Sequence, residues 1–150
     1  MVPMKTLYPL LLLSVLAVLP ALAQKQAVRP DGAAGSLPFS PGILAGGTLY
    51  VSGQVGSNPE TGRIPEVFED EVKQTLDNAG RVLKAAGYGF ADAVSVQVYL
   101  TDMTLFPRMN KIYSTYFPDP KPARTTVGVS GLVGAAKIEI TITAWKPEKK

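Results

Sequence analysis

Between Val94 and Leu100 the apolar residues Val94, Val96, Val98 and Leu100 alternate with Ser95, Gln97 and Tyr99, a period of two that predicts a half-buried strand. Near the C-terminus Ile138, Ile140, Ile142 and Ala144 alternate with Glu139, Thr141, Thr143 and Trp145. This is the strongest strand signal in the chain, and its pleat sets the Glu139 carboxylate on the face opposite the isoleucines. From Glu66 to Ala86 the period changes. Phe68, Val72, Leu76, Ala79, Leu83 and Ala86 follow at steps of four and three, while Glu69, Lys73, Asp77 and Lys84 lie largely off that stripe. The spacing predicts an amphipathic helix, bracketed by Pro65 and Gly87 as helix ends commonly are.

Shorter signals complete the order. Ile43 to Ser52 reads as two strands around Gly46-Gly47, a hairpin turn, and Asn58-Pro59-Glu60-Thr61-Gly62 reads as a surface loop. A second helix is predicted from near Pro107, burying Met109, Ile112, Tyr113 and Tyr116 before Pro118 and Pro120 stop it. Thr125 to Val129 forms a further strand, followed by the glycine-rich turn Gly131 to Gly134. Hairpin, helix, strand, helix, strand, strand amounts to an α+β fold with two helices on one face of a sheet. The other face, carrying Glu139, Thr141 and Thr143, calls for cover from a second subunit, so an oligomer is expected.

The N-terminus has a different character. Lys5 precedes an apolar run from Leu7 to Leu19, and Ala21-Leu22-Ala23 stands ahead of polar residues, the layout of an export signal. Residues 1–23 are therefore expected to be a signal peptide cleaved after Ala23, with an uncleaved membrane anchor as the alternative. Residues 24–36 are expected to be a loose tail and residues 37–150 one domain, periplasmic or secreted, with no stable membrane association after cleavage.

Composition narrows the chemistry. The chain of 150 residues contains no histidine and no cysteine, which excludes thiol nucleophiles, Ser-His-Asp triads, His/Cys zinc sites and disulfides. A formal charge of +3, or +2 without Lys5, with bases and acids interleaved, argues against a nucleic-acid partner. Gly128, Gly131 and Gly134 lie between two strands with no helix to follow, so they do not form a phosphate cradle. What remains is a set of polar residues at strand ends. Arg124 opens one strand and Glu139 another; by themselves they read as a structural ion pair on adjacent strands. Ser52 reads as a turn hydroxyl bonding its own backbone, and Asn110 as a helix-surface amide.

The run from Val51 to Gly62, with Ser52-Gly53-Gln54-Val55 and Asn58-Pro59-Glu60-Thr61-Gly62, resembles the signature of the RidA (YjgF) proteins. Leu76-Asp77-Asn78, Ala85-Ala86-Gly87, Met109-Asn110-Lys111-Ile112-Tyr113, Lys121-Pro122-Ala123-Arg124-Thr125-Thr126 and Lys137-Ile138-Glu139-Ile140 follow in that family's order. The resemblance extends from Pro38 to Trp145. It implies a chorismate-mutase-like fold, a homotrimer with sites between subunits, and cofactor-independent hydrolysis of 2-aminoacrylate-like imines to 2-keto acids and ammonia. It further implies that Arg124 binds the substrate carboxylate and Glu139 activates water, with Phe39, Ser52, Asn110 and Thr126 lining the pocket. Two departures stand out: Phe39 replaces an aromatic hydroxyl, and Thr126 stands where some members have cysteine. The alternative activities are a non-catalytic trimer that binds small carboxylates, with Glu139 as the ion-pair partner of Arg124, and an RNA-cleaving or translation-inhibiting role.

Overall fold

The alternating run at the C-terminus becomes the strand around which the sheet is built. In the computed structural model, which describes residues 24–31 and 37–147, the elements are β1 (Gln26–Val28), β2 (Gly42–Ala45), β3 (Thr48–Val55), α1 (Phe68–Ala85), β4 (Ala93–Leu100), α2 (Phe106–Tyr113), β5 (Ala123–Gly128) and β6 (Ile138–Trp145). Single 3-10 turns at Phe90–Asp92 and Met103–Leu105 lead into β4 and α2. The segment expected to be a signal peptide lies outside the described residues. The six strands lie in the order β1-β2-β3-β6-β4-β5. Every neighbouring pair is antiparallel except β4 and β5, which run parallel. The connection between those two carries α2, as a parallel crossover requires.

The core forms where the apolar phases of the strands meet the stripes of the helices. Leu49, Val96, Val98, Leu100, Ile138 and Ile140 are fully buried against Val72, Leu76 and Ala79 of α1 and Met109 of α2. The helix α1 begins at Phe68, with Val67 still extended ahead of it. Glu69, Asp70 and Glu71 occupy its first turn, where acids are favoured by the helix dipole. It ends in a Schellman turn: Tyr88 N–H donates to the Leu83 carbonyl, Gly87 N–H to that of Lys84, and Gly87 takes φ +75°.

Two expectations need correction. Residues 24–36 are not simply a loose tail, because Gln26–Val28 pair with Leu44–Gly42 as the edge strand β1 and bury Val28. Three residues are too few for alternation to be read in the sequence. The strands bearing Arg124 and Glu139 are also not adjacent, since β4 lies between β5 and β6.

Glu71 is the charged residue of the core. It is 0 % exposed, and its Oε1 accepts the Lys137 N–H at 2.6 Å and the Ile138 N–H at 3.4 Å, while Lys137 Nζ lies 3.4 Å from Oε2. A carboxylate on α1 thus holds the first residues of β6, directly before Glu139. A buried charge is tolerated only with such partners, and Gly56 permits the approach, since a Cβ there would sit 2.7 Å from the Glu71 carbonyl oxygen. Glu71→Ala should lower unfolding free energy by about 2–4 kcal/mol, because it strands two strand-end N–H donors and opens a cavity. Glu71→Gln, which keeps an acceptor, should cost less. Urea unfolding of both variants checks the order.

Candidate functional site

Two half-sites emerge, on opposite sides of the sheet. The first surrounds Glu139 where β3 outruns β2. β2 pairs with β3 only as far as Val51, and the register of β3 against β6 slips between Val51 and Gln54. This bulge leaves Ser52 and Gly53 at the mouth of a cavity of about 590 Å³ lined also by Phe39, Gln54, Asn78, Arg81 and Glu139. Glu139 pairs in register with Val55, and its side chain lies over Gly53: a Cβ at Gly53 would overlap Oε1 and come within 2.9 Å of Cδ. Gly53 is therefore a candidate site residue to which the sequence assigned no role, since its importance appears only once Glu139 crosses it.

The surroundings of Glu139 are fixed by bonds that leave the carboxylate itself free. Ser52 N–H donates to the Pro41 carbonyl at 2.9 Å and its Oγ to that of Ser40 at 2.6 Å. Ser52 is therefore not a turn hydroxyl bonding its own backbone: it lies within β3 and gives its proton to a carbonyl twelve residues away. Asn78 Nδ2 donates to the carbonyls of Val55 and Ser57 at 2.9 and 2.8 Å, tying α1 to the bulge. Among the described residues the Glu139 carboxylate accepts no hydrogen bond and forms no ion pair.

The second half-site lies beneath α2. Arg124 pairs in register with Val96, which pairs with Ile142, so its side chain follows the helix-covered face. Its guanidinium carbon is 4.5 Å from the centroid of the Tyr113 ring and 5.5 Å from that of Phe106, a planar cation laid on aromatic faces. Tyr113 in turn stacks on Phe117 at 4.4 Å. Burial raises the Tyr113 hydroxyl pKa, and the nearby Arg124 charge partly offsets that. The hydroxyl itself and Thr126 Oγ1, two positions along the same strand face, are buried without a hydrogen-bond partner. Asn110 precedes Tyr113 by three residues and so lies on the same side of α2. The sequence marked Tyr113 as core; its role as a platform for Arg124 became visible only with the helix seated over β5.

Phe39, Ser52 and Glu139 are brought together, and Asn110, Arg124 and Thr126 form a second group, but one chain does not join the groups. Glu139 aligns through Tyr99 with Val127, whereas Arg124 aligns through Val96 with Ile142. Three residues along and two strands across, the two α-carbons are roughly 14 Å apart by standard strand spacings, and their side chains leave opposite faces. Arg124 accordingly forms no ion pair with Glu139 within the chain, and none with any other described residue.

A family model described as endoribonuclease L-PSP matches residues 29–146. Over 131 residues the chain is 39% identical to Reactive Intermediate Deaminase A, chloroplastic, of Arabidopsis thaliana, covering 86% of this chain and 70% of the relative. Over 108 residues it is 41% identical to the 2-iminobutanoate/2-iminopropanoate deaminase of Mus musculus, covering 71% and 80%. Among solved structures, RidA from an Antarctic Psychrobacter superposes with a TM-score of 0.76 at 32% identity, covering 81% of this chain and 99% of that one. The E. coli TdcF structure with bound serine superposes at 0.75 and 29% identity, covering 81% and 98%. The two helices on a six-stranded mixed sheet and a match spanning residues 29–146 place the chain in the endoribonuclease L-PSP family, among its RidA/YjgF-type members.

Proposed function

We propose that the protein hydrolyses reactive 2-imino acids, the tautomers of enamines such as 2-aminoacrylate, to 2-keto acids and ammonia in a site completed by two copies of the chain. The observation that carries this reading is the division just described: a guanidinium with no carboxylate partner on one face and a carboxylate with no donor on the other. In the assembly, a homotrimer, Asn110, Arg124 and Thr126 of one copy face Phe39, Ser52 and Glu139 of the next. Relatives of about 40% identity are named for deaminase activity on such intermediates.

The chemistry needs no redox partner or cofactor. The Arg124 fork takes both oxygens of the substrate carboxylate, which fixes C2 of the imine before Glu139. Water adds to C2 while Glu139 accepts its proton; a C–O bond forms and the C=N π pair moves to nitrogen. Glu139 returns that proton to nitrogen to give a carbinolamine; the hydroxyl proton then passes to nitrogen, the O–H pair becomes the C=O π bond as the C–N bond breaks, and one imine plus one water becomes one keto acid plus one ammonia. Ribonucleolysis, suggested by the family model's description, is the weaker reading. The chain has no histidine for acid–base work on a ribose, and Arg108 and Lys73 are engaged with Glu69 and Asp70. With residues 1–23 as a cleaved export signal, the substrates would be imino acids formed by amino-acid oxidation at the cell envelope.

Two variants, alone and co-assembled, test the divided site through keto-acid release from freshly generated imines. Arg124→Ala and Glu139→Ala should each abolish acceleration. Co-assembled in equal amounts they should recover about a quarter of the wild-type rate, because in a cyclic oligomer about one interface in four then pairs an intact arginine with an intact glutamate. No recovery, with mixed oligomers confirmed by native mass spectrometry, would count against a site shared between copies. Wild-type protein that binds 2-keto acids without accelerating hydrolysis would instead establish the non-catalytic carboxylate binder.

The aromatic platform yields its own expectation. Tyr113→Phe keeps the ring under Arg124 and should leave KM near wild type. Tyr113→Leu removes the ring and should raise KM roughly 2- to 30-fold with little change in kcat, the range of a cation–π contact that holds the carboxylate-binding group. Steady-state kinetics on one imine decides.

A further inference from the structure

Resting on the deaminase reading, we infer that the Glu139 cavity selects 2-imino acids with large apolar side chains, branched or aromatic, over small or acidic ones. The first observation is where the chain leaves hydrophobic surface uncovered. Phe39 is 51% exposed, Leu37 36% and Val133 69%, and all three line the cavity that holds Glu139. Tyr50, Val127 and Trp145, also exposed, are in phase with the outer sheet face instead. Leu37 and Phe39 come from the stretch ahead of β2 and Val133 from the turn ahead of β6, and Pro30 and Pro41 extend the same wall. An apolar wall of this kind gains from contact with apolar side-chain surface in proportion to the area covered.

The second observation is that several polar groups of the cavity are already engaged within the chain. Gln54 Nε2 donates to the Ser52 carbonyl at 3.0 Å, and the Ser52 hydroxyl proton is given to Ser40. Asn78 spends its amide on Val55 and Ser57 and its Oδ1 on Gln74. Arg81 is the cation of the wall, and its Nη2 is fixed on the Asp31 carbonyl at 2.7 Å. Glu139 itself repels an acidic side chain. Phe39 completes the pattern: at this position it offers a ring face and no hydroxyl. A cavity of about 590 Å³ is in the range of small-molecule sites and has room beyond what a methyl group would fill.

The test compares kcat/KM for imines generated in place from alanine, leucine, phenylalanine and glutamate, using the full assembly. The leucine and phenylalanine imines should exceed the alanine imine by at least roughly tenfold, within the range that hydrophobic pockets reach per added methylene, and the glutamate imine should be the poorest. In the double variant L37S/V133S, both changes being at exposed positions, the phenylalanine-to-alanine ratio should fall at least about fivefold while the oligomer persists. Calorimetric binding of the four 2-keto acid products should follow the same order. Turnover with equal rates, or with the alanine imine fastest, overturns the apolar selection and leaves the deaminase reading standing. A fastest glutamate imine overturns it too and assigns Arg81 as the reader of the side chain. Absence of turnover for every imine overturns both.

Discussion

A β-strand sends successive side chains to alternate faces, and in this sheet that constraint decides where chemistry can occur. Burial of Ile138, Ile140 and Ile142 beneath the helices fixes the phase of β6. A slip of one residue would bring Glu139 under α1 and expose the isoleucines. The phase passes through β4 to β5 by register, where Arg124 falls on the same side as Val96. A guanidinium on a helix-covered face would be costly unless something received it. The rings of Tyr113 and Phe106 do so, placing their π systems 4.5 and 5.5 Å from its guanidinium carbon. An ammonium at the same place would meet the rings as a point charge and lose the planar fork.

The same economy of faces explains the details near Glu139. Its side chain needs space over β3, and the bulge with Gly53 provides it. Asn78 and Glu71 then pin the two strands from α1, one at the end of β3 and the other at the start of β6. Both polar groups lie on the helix stripe that otherwise carries Val72, Leu76 and Ala79. The helix therefore does more than cover the sheet: it fixes the two backbone segments between which Glu139 stands.

Much of this was legible in the sequence, for physical reasons that differ by element. The helices and long strands were readable because their apolar periods persist over several repeats, and the side taken by Glu139 followed from alternation alone. β1 escaped because three residues cannot establish a period. The spatial order of strands was also out of reach: Arg124 and Glu139 look like neighbours along the chain, yet β4 returns between them. The residues assigned by resemblance fall into two coherent groups, whereas Gly53, Tyr113 and Phe106 gain their meaning only from contacts across elements. A glycine in a strand or an aromatic on a helix stripe carries no sign of which side chain it will meet.

The division of the site ties assembly to chemistry in the proposed reaction. Tyr50, Val127 and Trp145 share the outer sheet face with Glu139 and remain exposed in one chain. Covering that apolar surface with a second copy is favourable by itself, but it also withdraws water from the Glu139 carboxylate. Desolvation of an unpaired carboxylate is costly, and the cost is offset only if a cation or a bound substrate arrives with the covering surface. In the proposed assembly Arg124 of another copy, held without an anion partner among the described residues, would supply the cation, with the substrate carboxylate between the two. In that proposal the free chain would hold two incomplete half-sites, and the contact that buries its outer face would be the one that makes them a pair.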